Sequence, residues 1–163
     1  MKLIYKYKNF VKLYKYDVIL EKKKIKNFHK IFLNDAVMII CKFKDTILLI
    51  KEYRLALKNF SWGLPGGFIE KNERPITTAK RELLEETGIK IKKEKVKLIL
   101  KFIRNGNYHC GKEYVYLCKF SEKPKIFLST KYKWLNKKNL KLWIKNNRFN
   151  TPGVIASVQS ILT

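Results

Sequence analysis

The sequence predicts an α/β (α+β) protein: a mixed β-sheet with helices packed on it, preceded by a small antiparallel β segment. Three observations lead there. Residues 3–33 set aromatic and β-branched residues against lysines at near period two, the pattern of strands with two unlike faces. "DAVMIICKF" (35–43) and "TILLIKEY" (46–53) are nearly continuous apolar runs, as expected of strands covered on both faces. The predicted helices are separated by strands, which favours one mixed sheet with helices on it.

Taken in order, residues 1–33 form the N-terminal β segment, with "EKKKIKN" expected to hold a turn, and residues 34–163 form the main domain. Lys44-Asp45 joins the two apolar strands tightly, as a hairpin in the sheet core. "FSWGLPGGFIE" reads as a turn-rich loop. Pro75 fits the first turn of a helix and Gly88 its stop. Between them Ile76, Ala79, Leu83 and Leu84 recur at helical spacing and predict a buried stripe. Strands are expected near 96–103, 113–120 and 131–135. Asn136 can cap a helix that turns Leu140, Trp143 and Ile144 inward. Thr151-Pro152 can open a last helix, with Ile155, Val158, Ile161 and Leu162 inward.

Composition bounds the function. The 163 residues suit one domain with a small appendage, and 46% hydrophobic content supplies a core. No run of about 18 apolar residues exists, so no membrane span is expected. Lysines interrupt the N-terminus every few residues, unlike a signal peptide, so a cytoplasmic protein is expected. Cys41, Cys110 and Cys118 are an odd count without a CxxC pair and read as reduced thiols. The formal net charge is +24, yet only Arg54, Arg74, Arg81, Arg104 and Arg148 are arginines. Lysine spread along the whole chain reads first as a solvated surface. The functional alternative is attraction of polyanions such as nucleotides or RNA ends.

Against that background, "GGFIEKNERPITTAKRELLEETGI" (66–89) gathers five of the ten glutamates. On the predicted helix, Glu82 and Glu86 are i,i+4 neighbours and Glu82 and Glu85 i,i+3 neighbours, while Arg81 can pair with Glu85. Two carboxylates at about 4 Å repel by roughly 4 kcal/mol at an effective dielectric of about 20. They also sit in the C-terminal half of the helix, where the dipole disfavours anions. A helix serving only as structure gains nothing from this; a divalent cation such as magnesium resolves it. Gly66 and Gly67 let backbone approach a bound ion or phosphate closely. The plainer reading is a charge-laced exposed helix after an ordinary turn.

The segment resembles the Nudix box, GX5EX7REUXEEXGU, where U is a bulky aliphatic residue. Gly67, Glu73, Arg81, Glu82, Leu83, Glu85, Glu86, Gly88 and Ile89 all fall in place. The resemblance implies an α/β/α sandwich around a mixed sheet, and hydrolysis of a nucleoside diphosphate linked to a moiety X with Mg2+ or Mn2+. It implies Glu82 and Glu86 as main metal ligands, Glu85 directly or through water, and the Gly66 carbonyl as a further ligand. Arg81 would orient Glu85, and Glu73 would tie the loop to the helix.

Outside the box the chain is similar to the ADP-ribose pyrophosphatase branch. "IKEYR" (50–54) resembles its "QYR" segment, with Glu52 in place of glutamine and Arg54 reaching a substrate phosphate. The resemblance implies further substrate contacts at Gly67, Gly111 and Glu113, and a homodimer whose N-terminal segments help build an adenine pocket. Phe28, Tyr14 and Tyr16 are stacking candidates there, and Trp62 a loop-packing residue with a lesser claim on ligand. That branch often carries a late-loop glutamate as base, but residues 123–139 contain no acid. Glu113 and Glu122 are the candidate bases, beside Glu82 or Glu85; His109 is a further candidate by type, and Cys110 a weaker one as nucleophile. ADP-ribose or a related ADP-sugar would yield AMP and a sugar phosphate. The alternatives are an RNA 5′-pyrophosphohydrolase or decapping enzyme, favoured by the basic surface, and a non-catalytic nucleotide-binding domain.

Overall fold

The computed structural model describes residues 1–8, 10–91, 96–127 and 131–162. The chain opens with an antiparallel meander of β1 (Lys2–Tyr7), β2 (Val11–Leu20) and β3 (Lys23–Leu33). The turn between β2 and β3 is tighter than the sequence suggests. It is confined to Glu21 and Lys22, both at positive φ (48° and 67°), and the following lysines already pair in β3. Two successive left-handed residues match the twist of a two-residue hairpin, so the lysine run has no need to bend.

β4 (Ala36–Phe43) and β5 (Thr46–Arg54) follow, then a short 3-10 turn at Leu55–Leu57 and β6 (Asn59–Gly63). The expectation that residues 60–63 belong to a loop is corrected here: β6 pairs along β5 from Arg54–Asn59 to Ile50–Gly63. Phe60, Ser61 and Trp62 alternate across that ribbon, and the loop begins at Leu64. α1 (Pro75–Thr87) comes next, followed by β7 (Val96–Asn105), β8 (His109–Phe120), β9 (Tyr132–Asn136), α2 (Lys137–Lys145) and α3 (Pro152–Gln159).

Among the described residues nine strands share one mixed sheet, in the order β1-β2-β3-β8-β4-β5-β6, with β7 on β8 and β9 on β5. β4 runs parallel to β8 through eight register pairs, Ala36–Glu113 to Phe43–Phe120. The β4–β5 hairpin pairs at Lys42–Ile47 and Phe43–Thr46 beside its turn, and β5 then takes β6 and β9 as neighbours. The vacated edge of β4 is taken by the loop before α1. Ile39 N–H donates to the Pro65 carbonyl at 2.8 Å, Val37 N–H to the Gly67 carbonyl at 2.9 Å, and Ile69 N–H to the Asp35 carbonyl at 2.8 Å.

Period-two alternation in β4 feeds two cores. Val37, Ile39 and Cys41 pack with Leu48, Ile50 and the Ala79–Leu83 face of α1 on one side of the sheet. Met38 and Ile40 pack on the other with Ile47, Leu49, Leu140 of α2 and Val154 and Val158 of α3. This is a three-layer α/β/α arrangement. Asn136 caps α2 by accepting from Asn139 N–H at 2.9 Å. Leu84 departs from expectation: it is 45% exposed, whereas Thr87 is fully buried. The inward stripe follows 76, 79, 83 and 87, and a residue one step past Leu83 turns about 100° away from it. No helix among the described residues is long and apolar enough to cross a membrane.

Candidate active site

The loop pinned along β4 brings Gly66 and Gly67 against α1. A Cβ on Gly66 would collide with the Val37 carbonyl oxygen, and one on Gly67 with the Glu82 carboxylate. Both positions need glycine for close approach, not for flexibility. Gly66 N–H donates to Glu86 Oε2 at 2.8 Å, so α1 and the loop are tied at the residue whose carbonyl the family resemblance singles out.

Arg81 organises the rest. Its Nε and Nη2 donate to the two Glu73 oxygens at 3.2 and 3.1 Å, and Nη2 also donates to the Phe68 carbonyl at 3.2 Å. Its Nη1 donates to Glu82 Oε1 at 2.8 Å and to Glu85 Oε2 at 3.0 Å. The hydrogen bonds it donates to Glu73 lead in holding Arg81 protonated, above its already high ordinary value. For Glu73, burial is the largest influence and would raise the carboxyl, but the hydrogen bonds from Arg81, Thr78 and the Glu70 N–H, with the Arg81 charge, together hold the group below its ordinary range. Arg81 thus fixes the loop–helix junction and draws in Glu82 and Glu85.

Glu86 has the opposite surroundings. Burial first, and then the nearby Glu52 charge, push its carboxyl up to about 8. Burial also raises Glu82. Glu52 hydrogen-bonds Glu86 and accepts from Arg54 Nη2 at 2.7 Å. A chain of contacts therefore runs from Arg54 through Glu52 and Glu86 to the Gly66 backbone.

Among the described residues no three histidine, cysteine, aspartate or glutamate side chains close on one point as they stand. The reason is local: Arg81 pulls Glu82 and Glu85 one way, while Glu86 bonds Gly66 and Glu52. The donor set nevertheless suits a hard divalent cation, with carboxylates on one helical face and a loop backbone held against them. Burial raises both Glu82 and Glu86, and a bound cation would offset that cost. Glu82, Glu86, Glu85 and the Gly66 carbonyl are the groups that would hold such an ion.

A cavity of about 430 Å3 opens beside Gly66 and Gly67, lined also by Arg54, Arg104, Glu113 and Thr151. The Nε atoms of Arg54 and Arg104 are buried and have no hydrogen-bond partner among the described residues. A second cavity of about 480 Å3 shares Gly67 and Phe68 and is lined also by Arg81, Glu82, Lys8 and Lys71.

The structure therefore brings together Gly66, Gly67, Glu73, Arg81, Glu82, Glu85 and Glu86, with Arg54 and Glu113 across the first cavity. Gly111 stands at the same end, behind Arg104. Glu113 is buried, and burial raises its carboxyl against the opposing pull of Arg104. Glu122 is not brought to this group. It is exposed beyond Phe120, seven residues along β8 from Glu113, or about 23 Å of strand. His109 accepts Gly111 N–H on Nδ1 at 3.2 Å, which occupies the lone pair a base would use. Cys110 is partly buried and Cys41 and Cys118 fully. Phe28 stacks on Tyr108 with centroids 5.9 Å apart and meets Tyr16 edge-on. Trp62 packs edge-on against Trp143 of α2 at 5.5 Å.

Two residues escaped the sequence reading. Glu52 stands two positions before Arg54, so period two places both on one face of β5, and that signal was available. Arg104 belongs to no motif, and its relation to the site exists only through the fold.

Known proteins place this geometry. The NUDIX domain model matches residues 32–151. An ADP-sugar pyrophosphatase of Mus musculus is 39% identical over 61 residues, 34% of this chain and 28% of that protein. A CMP-5'-(N-acetyl-N-hydroxy-3-aminopropyl)phosphonate hydrolase of Streptomyces rubellomurinus is 36% identical over 53 residues, 32% of this chain and 26% of that protein. The matched segments thus span about a quarter of the length of these curated relatives. A crystal structure of an ADP compounds hydrolase superposes with a TM-score of 0.79 at 17% identity, covering 98% of this chain and 88% of the other. That likeness concerns the fold. With the family model spanning most of the chain, over the strands, loop and helix that build the site, the protein belongs to the Nudix family.

Proposed function

We propose that the protein is a Nudix pyrophosphohydrolase that hydrolyses the diphosphate of a nucleoside diphosphate derivative, ADP-ribose or a related ADP-sugar, to AMP and a sugar phosphate. The observation that carries the reading is the juxtaposition of the α1 carboxylates with a cavity holding two arginines, Arg54 and Arg104. One side of the junction Gly66–Gly67 suits a divalent cation and the other an anion. The relatives' names support a nucleotide linked through phosphorus to a second group, and differ in the nucleotide, ADP in one and CMP in the other.

Mg2+ or Mn2+, held by Glu82, Glu86, Glu85 and the Gly66 carbonyl, would neutralise diphosphate charge and lower the pKa of water. The chain's own residues do the rest. Arg81 keeps Glu82 and Glu85 in place through the Glu73 anchor. Arg54, its Nη2 held by Glu52, offers its guanidinium to a phosphoryl oxygen. Glu113 is the acid nearest the cavity and takes the role of base ahead of the distant Glu122. The N-terminal segment, residues 1–33, exposes Leu3, Ile4, Tyr5 and Tyr7 on β1. We assign it to homodimerisation, to be read by sedimentation against a variant lacking β1.

The test is release of AMP from ADP-ribose with Mg2+, run beside triphosphorylated RNA. Turnover of ADP-ribose, abolished in Glu82→Gln with the circular dichroism spectrum unchanged, is the expected result. Turnover of the RNA alone, lost steeply with salt, would replace this reading by 5′-end processing, and binding of both without turnover by a nucleotide-binding role.

A further inference from the structure

Arg104 has no part in the Nudix box or in the segments that resemble the ADP-ribose branch, yet it lines the same cavity as Arg54. The two arrive from opposite sides. Arg54 ends β5 and Arg104 lies in β7, and the β4–β8 pair runs between them. Both residues line the cavity beside that pair.

The guanidinium of Arg104 is set in place before any ligand arrives. Its Nη2 donates to the Asn34 carbonyl, and its carbon sits 5.1 Å from the centroid of the Phe68 ring, in the loop that carries Gly66 and Gly67. Gly111 makes room for it: a Cβ there would stand 2.6 Å from Arg104 Nη2. Glu113 Oε2 lies 3.7 Å from Nε, close enough to offset the guanidinium charge and too far to accept the hydrogen. The Arg104 Nε is buried without a hydrogen-bond partner among the described residues, while the side chain keeps 23% exposure. Arg54 is held likewise at Nη2 by Glu52, with its side chain 41% exposed. Two guanidinium side chains lining one cavity beside a glycine loop suit a ligand with more than one anionic group.

We propose that Arg104 is a second phosphate-binding residue, taking the phosphoryl group that Arg54 does not reach, so that the diphosphate lies across the cavity between the two guanidiniums. This rests on the nucleoside-diphosphate reading above and specifies which residue holds the second phosphoryl group.

The test uses calorimetric binding of ADP and of adenosine to the full chain in EDTA, with Arg104→Gln, Arg104→Lys and, as a remote reference, Arg148→Gln. Expected is a loss of ADP affinity of about tenfold or more in Arg104→Gln, with adenosine affinity within about twofold of wild type and Arg148→Gln unchanged. Arg104→Lys keeps the charge without the fork and falls between; it also carries the test if the glutamine variant fails to fold. Wild-type ADP affinity in both Arg104 variants would overturn the proposal. So would equal loss of ADP and adenosine, which marks a packing role, or failure of the wild type to bind ADP. ADP-ribose turnover separates the two levels. Wild type that hydrolyses ADP-ribose while Arg104→Gln binds ADP normally refutes Arg104 alone. Wild type that binds ADP through Arg104 but releases no AMP refutes the hydrolase reading alone.

Discussion

Arg81 makes hydrogen bonds to three carboxylates and one carbonyl with a single side chain. Removing it leaves Glu73 and Glu82, both largely buried, facing each other without a counter-charge. Arg81→Gln is therefore expected to lower stability by about 2–3 kcal/mol, below the full cost of breaking a buried pair because Arg81 is partly exposed. Urea unfolding reads this directly, and ADP-ribose turnover falls with it. Glu86 gives a pH prediction whose sign follows from proton counting. Its folded pKa, about 8, lies above the unfolded value of 4.5, so between the two the folded state binds more protons. Stability from this group is present below pH 4.5 and lost as pH rises towards 8, by at most about 1.4 kcal/mol per pH unit. Thermal unfolding in EDTA should show the decline, and Glu86→Gln should flatten it; an unchanged slope in the variant would place the titration elsewhere. Added Mg2+ should recover more stability at pH 8 than at pH 6, because less proton has to leave. At this scale the box residues were legible because their spacing within one helix already fixes their geometry. Glu52 was legible as a neighbour of Arg54 on one face of β5 but not as a partner of Glu86, 34 residues away, and Arg104 belongs to no motif.

The element that decides the site is the loop between β6 and α1, which replaces β5 as the neighbour of β4. Its two glycines make separable predictions. The Cβ of Gly66→Ala would meet backbone, the Val37 carbonyl, in a paired segment that has no room to yield. A loss of about 1–3 kcal/mol is expected, as for overpacking. The Cβ of Gly67→Ala would meet the far end of the Glu82 side chain, which can rotate away. That variant should unfold near the wild-type midpoint yet bind Mn2+ more weakly, by about tenfold, as read by electron paramagnetic resonance. Equal destabilisation of both variants would refute this division of labour. Elements were legible where one local pattern decided them, as in the apolar β4 and β5, the capped α2 and the Pro-to-Gly span of α1. β6 was missed because its pairing partner, not its turn-rich composition, makes it a strand. Leu84 was misplaced because a four-residue apolar list does not say how narrow the buried stripe is.

At the scale of the whole molecule the charge asymmetry remains to be assigned. Thirty-seven basic residues face thirteen acidic ones, and five of those acids lie in the 66–89 segment that builds the site. Lys8 and Lys71 stand at the cavity that holds Glu82 and Arg81, so positive potential reaches the site and is not confined to remote surface. A diphosphate substrate approaching such a surface is steered, and steering acts on encounter rather than on the chemical step. Raising KCl from 50 to 500 mM is therefore expected to lower kcat/KM for ADP-ribose by about tenfold while kcat holds, since the Debye length shrinks below the spacing between surface charges. Lys8→Gln with Lys71→Gln should reduce the salt dependence without changing kcat, because the ion pairs of Glu82 and Glu85 are made with Arg81. If kcat/KM proves flat with salt in the wild type, the lysines only solvate the protein, and on the proposed reading selection of a diphosphate falls to Arg54, Arg104 and the cation.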